Sequence, residues 1–241
     1  MKHPIVSFPE IDSTNTYLKR EYKNYADGTV ITAEHQTAGK GRSGREWVDD
    51  SKSLVFSLLL KDNLEPERVS LLSLLSGLCV SLALDDLGIQ NQIKWPNDVL
   101  IHEKKAVGIL SESVVEGKLQ ALIIGIGINL NQDSFSSSLK DKATSLYLQT
   151  GKRYEKLPFL DCFLHYFDIY YDTFLKEDDS FLDAVRERSY LTGKQVYLNY
   201  YGEDRHATVK GIDNDGNLLV DEDGKTVSLN SGEVTLEKNY H

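Results

Sequence analysis

Two long runs of strand-forming residues, Ala106–Val115 and Leu119–Asn131, face each other across Glu116-Gly117-Lys118. Runs of this kind joined by a short Gly-bearing turn read as a β-hairpin, so the sheet has to accommodate an antiparallel pair. Helical patterns lie on either side. From Leu157 to Lys176 apolar residues recur at 160, 163, 164, 167, 171, 174 and 175, the stripe of an amphipathic helix. Another apolar helix is expected from Pro66, suited to a first helical position, to about Asp86, with a stop at Gly88. Nearer the start, Asp12-Ser13-Thr14 offers side chains that accept bonds from first-turn N–H groups. Leu18, Tyr22 and Tyr25 continue at helical spacing, and Gly28 ends that helix. Thr29–Glu34 and Leu54–Leu60 read as strands, the second buried, and Gln92–Trp95 and Val99–Ile101 flank a Pro-Asn-Asp turn. Helices mixed with hairpins give an α+β layered domain around a mixed or antiparallel sheet.

After Tyr190 the texture changes. Gln195–Asn199, Ala207–Ile212, Leu218–Val220 and Thr226–Leu229 are short strand patterns separated by Asp, Asn and Gly turns. This is the pattern of a small β-barrel of about 50 residues. The chain therefore divides into residues 1–189 and 190–241.

A formal net charge of −10, with no dense basic block, disfavours non-specific nucleic-acid binding. No uncharged apolar run of about 18 residues is present to span a bilayer. Met1–Pro9 lacks the charged-then-apolar order of a signal peptide. Cys79 and Cys162 both sit among apolar residues, so they are expected as reduced core residues of a cytoplasmic protein.

Four segments concentrate reactive side chains. In Thr37–Trp47, Gly39, Gly41 and Gly44 alternate with Lys40, Arg42 and Arg45. Glycine lets backbone N–H groups approach an anion, the cations supply charge and bidentate donors, and an aromatic can stack on a purine. The same composition also suits a solvated surface loop, and it is neither a P-loop nor a dinucleotide fingerprint. In Lys94–Asp98, Asp98 can hold a metal or orient a lysine, or the segment is a connecting turn around a packed Trp95. In Lys104–Glu112, Lys105 enters an alternating strand that gives no reason for a buried charge. It is either a point charge for an anionic substrate or a solvated hairpin lysine. In Ile124–Asn131, glycines inside a strand mark close approach of a ligand or another backbone, or tight sheet packing. Asn129 at its end can bond a nucleotide.

In this order and at these separations, the segments resemble the biotin–protein ligases. That family's pattern runs Ser-Thr-Asn, G-R-G-R-x-G-R-x-W, K-W-P-N-D, K-x-x-G-I-L and G-x-G-x-N. It stands here as Ser13-Thr14-Asn15, Gly39–Trp47, Lys94–Asp98, Lys105–Leu110 and Gly125–Asn129, with Ser231-Gly232-Glu233-Val234 closing the barrel. The resemblance runs from Glu10 to Glu237. The family's first loop arginine is Lys40 here, which keeps the charge and loses the planar fork.

The resemblance implies the class II aminoacyl-tRNA-synthetase-like catalytic fold of biotin and lipoate ligases, followed by an SH3-like barrel. It implies ATP, Mg²⁺ and biotin. Biotin's carboxylate attacks the α-phosphate of ATP to give biotinoyl-5′-AMP and pyrophosphate, and a carrier lysine then takes the biotinoyl group. By matching positions, the catalytic candidates are Lys105, Arg42 and Asp98. The biotin site is Ser13, Thr14, Asn15, Gln36, Gly39, Lys40, Gly41, Arg42, Lys105, Gly108 and Leu110. The ATP site is Arg42, Arg45, Trp47, Asn97, Asp98, Lys105, Gly125, Gly127 and Asn129; no metal ligand is assigned. The implied partner is the biotin carboxyl carrier domain of a biotin-dependent carboxylase, and a homodimer through the sheet edge is compatible with the family.

A lipoate or octanoate ligase shares that catalytic fold but lacks the Gly39–Trp47 loop and the Lys94–Asp98 turn as they stand here. A binding-only homologue is opposed by intact Lys105, Arg42 and Asp98. Regulatory members carry a winged helix-turn-helix before the Ser-Thr-Asn segment. With 12 residues ahead of Ser13, no such reading head is expected. An electrophoretic mobility assay with the promoter of biotin-synthesis genes, run with biotin and ATP at moderate salt, should therefore show no specific complex; a tight sequence-specific shift would refute this.

Overall fold

The computed structural model describes residues 2–200 and 203–236. Its first part runs β1 (Ile5–Ile11), α1 (Thr14–Glu21), β2 (Val30–Gln36), β3 (Leu54–Leu60), α2 (Leu71–Asp86), β4 (Gln92–Lys94), β5 (Asp98–Ile101), β6 (Lys104–Glu116), β7 (Lys118–Ile128), α3 (Leu146–Thr150), α4 (Lys156–Phe174) and α5 (Phe181–Glu187). The second part is β8 (Gln195–Tyr200), β9 (Glu203–Ile212), β10 (Leu218–Glu222), β11 (Lys225–Leu229) and β12 (Glu233–Leu236). The first seven strands form one sheet in the order β1-β2-β3-β7-β6-β5-β4. Its pairs are antiparallel except β1 with β2, which makes the sheet mixed, as expected for an α+β domain. The last five form a separate antiparallel sheet in the order β11-β10-β9-β8-β12. Residues 237–241, including Glu237 at the end of the resemblance, lie outside the described residues.

Strand alternation sorts the first sheet's two faces. Leu54, Phe56, Leu58 and Leu60 of β3 join Leu122, Ile124, Ile126 and Ile128 of β7 in the main core with α2 and α4. Phe56 meets Phe163 there with ring centroids 5.2 Å apart. On the other face, Ile31, Leu59, Ala121 and Ile123 pack beneath Leu18 and Tyr22 of the α1 segment. Fully burying a side chain such as Leu18 stabilises by about 2 kcal/mol. Farther along β7 that second face carries Gly125 and Gly127, and the apolar cover ends there.

Several expectations shift. The helix read from Pro66 begins at Leu71, because Pro66–Ser70 makes i→i+3 turns, such as Leu71 N–H to the Arg68 carbonyl at 3.1 Å. The helix read to Gly28 ends at Glu21, and Tyr22–Asn24 tightens into a 3₁₀ turn. Ser13 occupies the N-cap with extended backbone, φ −160°, but makes no side-chain cap bond. Four elements were not expected: β1, α3, α5 and β12. Strand β1 carries Pro9, which is tolerated because β1 is an edge strand. Helices α3 and α5 are 5 and 7 residues long, too short to show a periodic signal. Cys79 is core, whereas Cys162 is half-buried and donates its thiol to Asp86 Oδ2 at 3.4 Å. Among the described residues no helix is long and apolar enough to cross a membrane.

The second sheet docks on the α2–β4 end of the first. Trp95 Nε1 donates to the Gly216 carbonyl at 2.9 Å, and Arg186 Nε donates to the Ile212 carbonyl at 2.8 Å. Gly216 has φ +77°, and a Cβ there would lie 2.6 Å from Leu71 Cδ2. The buried apolar cluster is continuous across the joint. Trp95→Phe keeps an aromatic in the core but leaves the Gly216 carbonyl without its donor. It should lower unfolding stability by about 1–3 kcal/mol, read as a lower urea midpoint.

Candidate active site

The open end of the second face has a floor of glycines. Gly108 of β6 pairs directly with Gly127 of β7, and Asp98 of β5 pairs with Gly108. The Trp47 indole rests on this floor: a Cβ on Gly127 would lie 2.5 Å from Trp47 Cε2, and one on Gly108 3.0 Å from Trp47 Cζ3. A Cβ on Gly125 would overlap Asn15 Oδ1. Close approach, one of the readings left open by the sequence, is what occurs, and Trp47 and Asn15 side chains make it.

Lys105 reaches this face through a β-bulge. In the β5–β6 ladder Val99 pairs with Val107 and Leu100 with Lys105, so Ala106 is an extra residue. Both Ala106 and Val107 are fully buried in the main core. Unbroken alternation would have put Lys105 on the core side with Val107 and Ile109; the bulge re-aims it. Its Cε stands 2.9 Å from where a Gly108 Cβ would be, and its Nζ lies 2.7 Å from Asp98 Oδ1. That contact is an ion pair without the alignment of a hydrogen bond. The backbone of Lys105 is clamped on both sides. Its N–H donates to the Lys142 carbonyl and its carbonyl accepts from Thr144 N–H, each at 2.9 Å. Asn129 supports the clamp, its Nδ2 donating to the Thr144 carbonyl at 3.0 Å and lying 3.5 Å from the Lys105 carbonyl.

The start of α1 forms the opposite end. Thr14 donates from its N–H at 2.8 Å and its hydroxyl at 3.1 Å to Gln36 Oε1. Asn15 donates from Nδ2 to the Leu110 carbonyl at 3.0 Å and to Glu112 Oε2 at 2.9 Å. The Ser57 hydroxyl lies 2.7 Å from Thr14 Oγ1 and 2.6 Å from Asn15 Oδ1, so its one proton serves either acceptor. Gly39 abuts Gln36, since a Cβ there would lie 3.0 Å from Gln36 Nε2. The Gln36 N–H is bound by Asp49 Oδ2 at 2.8 Å, with the Asp49 side chain fully buried.

The Thr37–Trp47 loop is folded as a small hairpin. Lys40 bridges Glu46, Trp47 N–H donates to the Gly39 carbonyl at 3.0 Å, and Ser43 and Gly44 turn the tip with φ of 54° and 74°. Arg42 donates from Nη1 to Asn97 Oδ1 at 2.9 Å and from Nη2 to the Gly232 carbonyl of the second sheet at 3.4 Å. Asn97 Nδ2 donates in turn to the Ile109 carbonyl at 2.6 Å. A cavity of about 560 Å³ lies between this loop and β6, lined by Lys40, Gly41, Arg42, Leu110, Ser111 and Glu112 among others. The structure thus brings the sequence-derived residues onto one face of the sheet, with Ser13–Asn15 and Gln36 at one end, Asp98 and Lys105 at the other, and Trp47 running from Gly39 beside Gln36 to Gly108 beside Lys105. Asn129 stands behind Lys105. Ser57, Asp49, Thr144 and Glu112 were not assigned from sequence. Ser57 left a trace as the polar member of an otherwise apolar strand, and Glu112 as the last residue of the Lys104–Glu112 segment.

The chain thus combines a seven-stranded mixed sheet bearing an open polar cleft with an appended five-stranded sheet. It matches the solved biotin protein ligase from Aquifex aeolicus in complex with biotin and ATP, with a TM-score of 0.87 and 32% identity, covering 97% of this chain and 98% of that one. Residues 7–129 match the biotin/lipoate A/B protein ligase family, and residues 192–236 match the biotin protein ligase C terminal domain. The chain belongs to that family and, within it, to the biotin protein ligases. The bifunctional ligase/repressor BirA of Bacillus spizizenii is 33% identical over 225 residues, covering 88% of this chain and 67% of that protein. The biotin–[acetyl-CoA-carboxylase] ligase of Paracoccus denitrificans is 30% identical, covering 87% and 90%.

Burial raises the pKa of Glu112, but the hydrogen bonds from Lys19 and Asn15, with the charges of Lys19 and Lys40, outweigh it and hold the carboxyl below its ordinary 4.5. A depressed folded-state pKa contributes stability above the unfolded value, and that stability is lost as pH falls through the folded value. The parent should therefore exceed Glu112→Gln in urea midpoint near neutrality, with the gap closing below 4.5. A gap that stays constant into acid would refute the assignment.

Proposed function

We propose that the protein joins biotin to a lysine of a biotin carboxyl carrier domain in two half-reactions run in this cleft, as a cytoplasmic enzyme. The observation that carries the reading is Lys105, turned by the Ala106 bulge onto the glycine floor beside Asp98. In the first half-reaction a biotin carboxylate oxygen attacks the α-phosphorus of ATP. The bond to pyrophosphate breaks, and biotinoyl-5′-AMP forms. Both reactants are anionic, so the barrier depends on positive charge fixed in place beforehand. Lys105 supplies it at the floor, with Asp98 steering the ammonium. Arg42 supplies it from the loop, its guanidinium held by Asn97. Thr14, Asn15, Gln36 and Gly39 hold the ring end of biotin, beside Ser13, Lys40 and Gly41, and Leu110 gives an apolar wall. Arg45, Trp47 and Gly127 serve the nucleotide end, and Asn129 serves it by fixing Lys105, whereas Gly125, expected with them from the resemblance, lies under Asn15 toward the ring end. In the second half-reaction a carrier lysine amine attacks the acyl carbon, and AMP leaves with the electrons of the acyl–oxygen bond. Asp98 is the carboxylate available to take the amine's proton.

ATP chemistry of this kind uses Mg²⁺, which neutralises phosphate charge when bound. Among the described residues no three metal-ligating side chains gather. That fits an ion carried on the nucleotide phosphates, with Asp98 as the carboxylate near enough to add an oxygen, rather than one caged by protein.

The test is incubation with biotin, Mg-ATP and a carrier domain, followed by avidin detection of the carrier. No biotin- and ATP-dependent signal would sink the reading. Lys105→Met keeps the bulk of the side chain and removes its charge. Biotin-dependent pyrophosphate release should fall by about 10², equivalent to roughly 3 kcal/mol of barrier, with the urea midpoint close to the parent's. Pyrophosphate release near the parent's would remove Lys105 from the chemistry.

A further inference from the structure

Glu112 is a half-buried carboxylate on the wall of a cavity whose other charged lining is cationic, Lys40, Arg42 and Arg45. Nothing in the two half-reactions above uses it. A negative charge facing a site for anionic substrates is unfavourable unless it is neutralised and needed. It is neutralised by Lys19, whose Nζ donates to Glu112 Oε1 at 2.8 Å. The other oxygen, Oε2, accepts Asn15 Nδ2 at 2.9 Å.

We propose that Glu112 is a positioning residue for biotin: it fixes which way the Asn15 carboxamide points at the ring end of the site. The inference rests on the function proposed above. A carboxamide has two ends of nearly equal shape, and only its neighbours' donor or acceptor character distinguishes them. The Ser57 hydroxyl does not discriminate, because it can donate or accept. The Leu110 carbonyl and an ionised Glu112 accept only, so they demand the Asn15 NH₂ group. Asn15 Oδ1 is thereby directed at Ser57 and lies over Gly125, on the floor.

A neighbouring pair provides the control. Four residues beyond Lys19, in the 3₁₀ turn that follows α1, Lys23 Nζ meets Glu116 Oε2 at 2.9 Å, with Glu116 also accepting from the Tyr22 hydroxyl at 3.1 Å. This second ion pair to β6 does not line the cavity. If Glu112 merely staples helix to strand, the two carboxylates are equivalent; if it orients Asn15, they are not.

Biotin is titrated into the full-length protein in a calorimeter, without ATP. Glu112→Ala should weaken binding about tenfold, and Glu112→Asp, which keeps the charge but shortens the reach to Asn15, should do nearly the same. Glu112→Gln, whose carbonyl can still accept from Asn15, should stay within about threefold of the parent, and Glu116→Ala within about twofold. Urea midpoints confirm folding, and Glu112→Asp carries the comparison if Glu112→Ala does not fold. The proposal is overturned if Glu112→Asp binds like the parent, if Glu112→Gln binds as poorly as Glu112→Ala, or if Glu116→Ala weakens binding as much. A parent that does not bind biotin at all would instead overturn the functional reading on which the proposal stands.

Discussion

The site depends on how the second face of the sheet runs out of apolar cover. On β7 the residues facing α1 are Ala121 and Ile123, and the next two on that face are Gly125 and Gly127. Two missing side chains leave a floor on which Trp47 and Asn15 lie against bare backbone. The extra residue Ala106 in β6 then lets the core face keep both Ala106 and Val107 while Lys105 turns to the open side. Without the bulge the ammonium would point into a packed apolar layer, where an unpaired charge costs several kcal/mol.

Charge in the cleft is arranged as pairs of acceptors and donors rather than as a bare cationic patch. Lys105 sits against Asp98, Arg42 against Asn97, and Asn15 between Glu112 and Ser57. Each contact restricts a rotamer before a substrate arrives, which lowers the entropy lost when groups are ordered for reaction. A chain of net charge −10 can still hold anions because the cations are local and fixed while the excess acid lies elsewhere. Lys40 lines the same cavity as Glu112, and its charge helps to hold that carboxyl ionised.

The Lys94–Asp98 turn ties these parts together. Trp95 bonds the second sheet at Gly216, Asn97 bonds both Arg42 and β6, and Asp98 meets Lys105. Arg42 itself reaches the Gly232 carbonyl. The barrel therefore contributes to holding a site residue as well as closing the hydrophobic core.

Much of this was legible in the residue order. The hairpin, the buried strand Leu54–Leu60 and the long apolar helices follow from local periodicity, which needs no knowledge of neighbours. The motif residues follow from resemblance. What the sequence by itself determined is the set of elements strong enough to show a period and the chemical inventory of the site. Short helices such as α3 and α5 lacked a signal because a few residues rarely complete a helical period, and Pro9 interrupts the strand pattern of β1. Which way Lys105 points, what Gly125 and Gly127 make room for, and that Glu112, Ser57 and Thr144 belong to the same site were decided only by the tertiary structure. A bulge is a property of two strands in register, and the Asn15 carboxamide's orientation is set by donors and acceptors brought from two other elements, β3 and β6. Neither is encoded in any one stretch of chain.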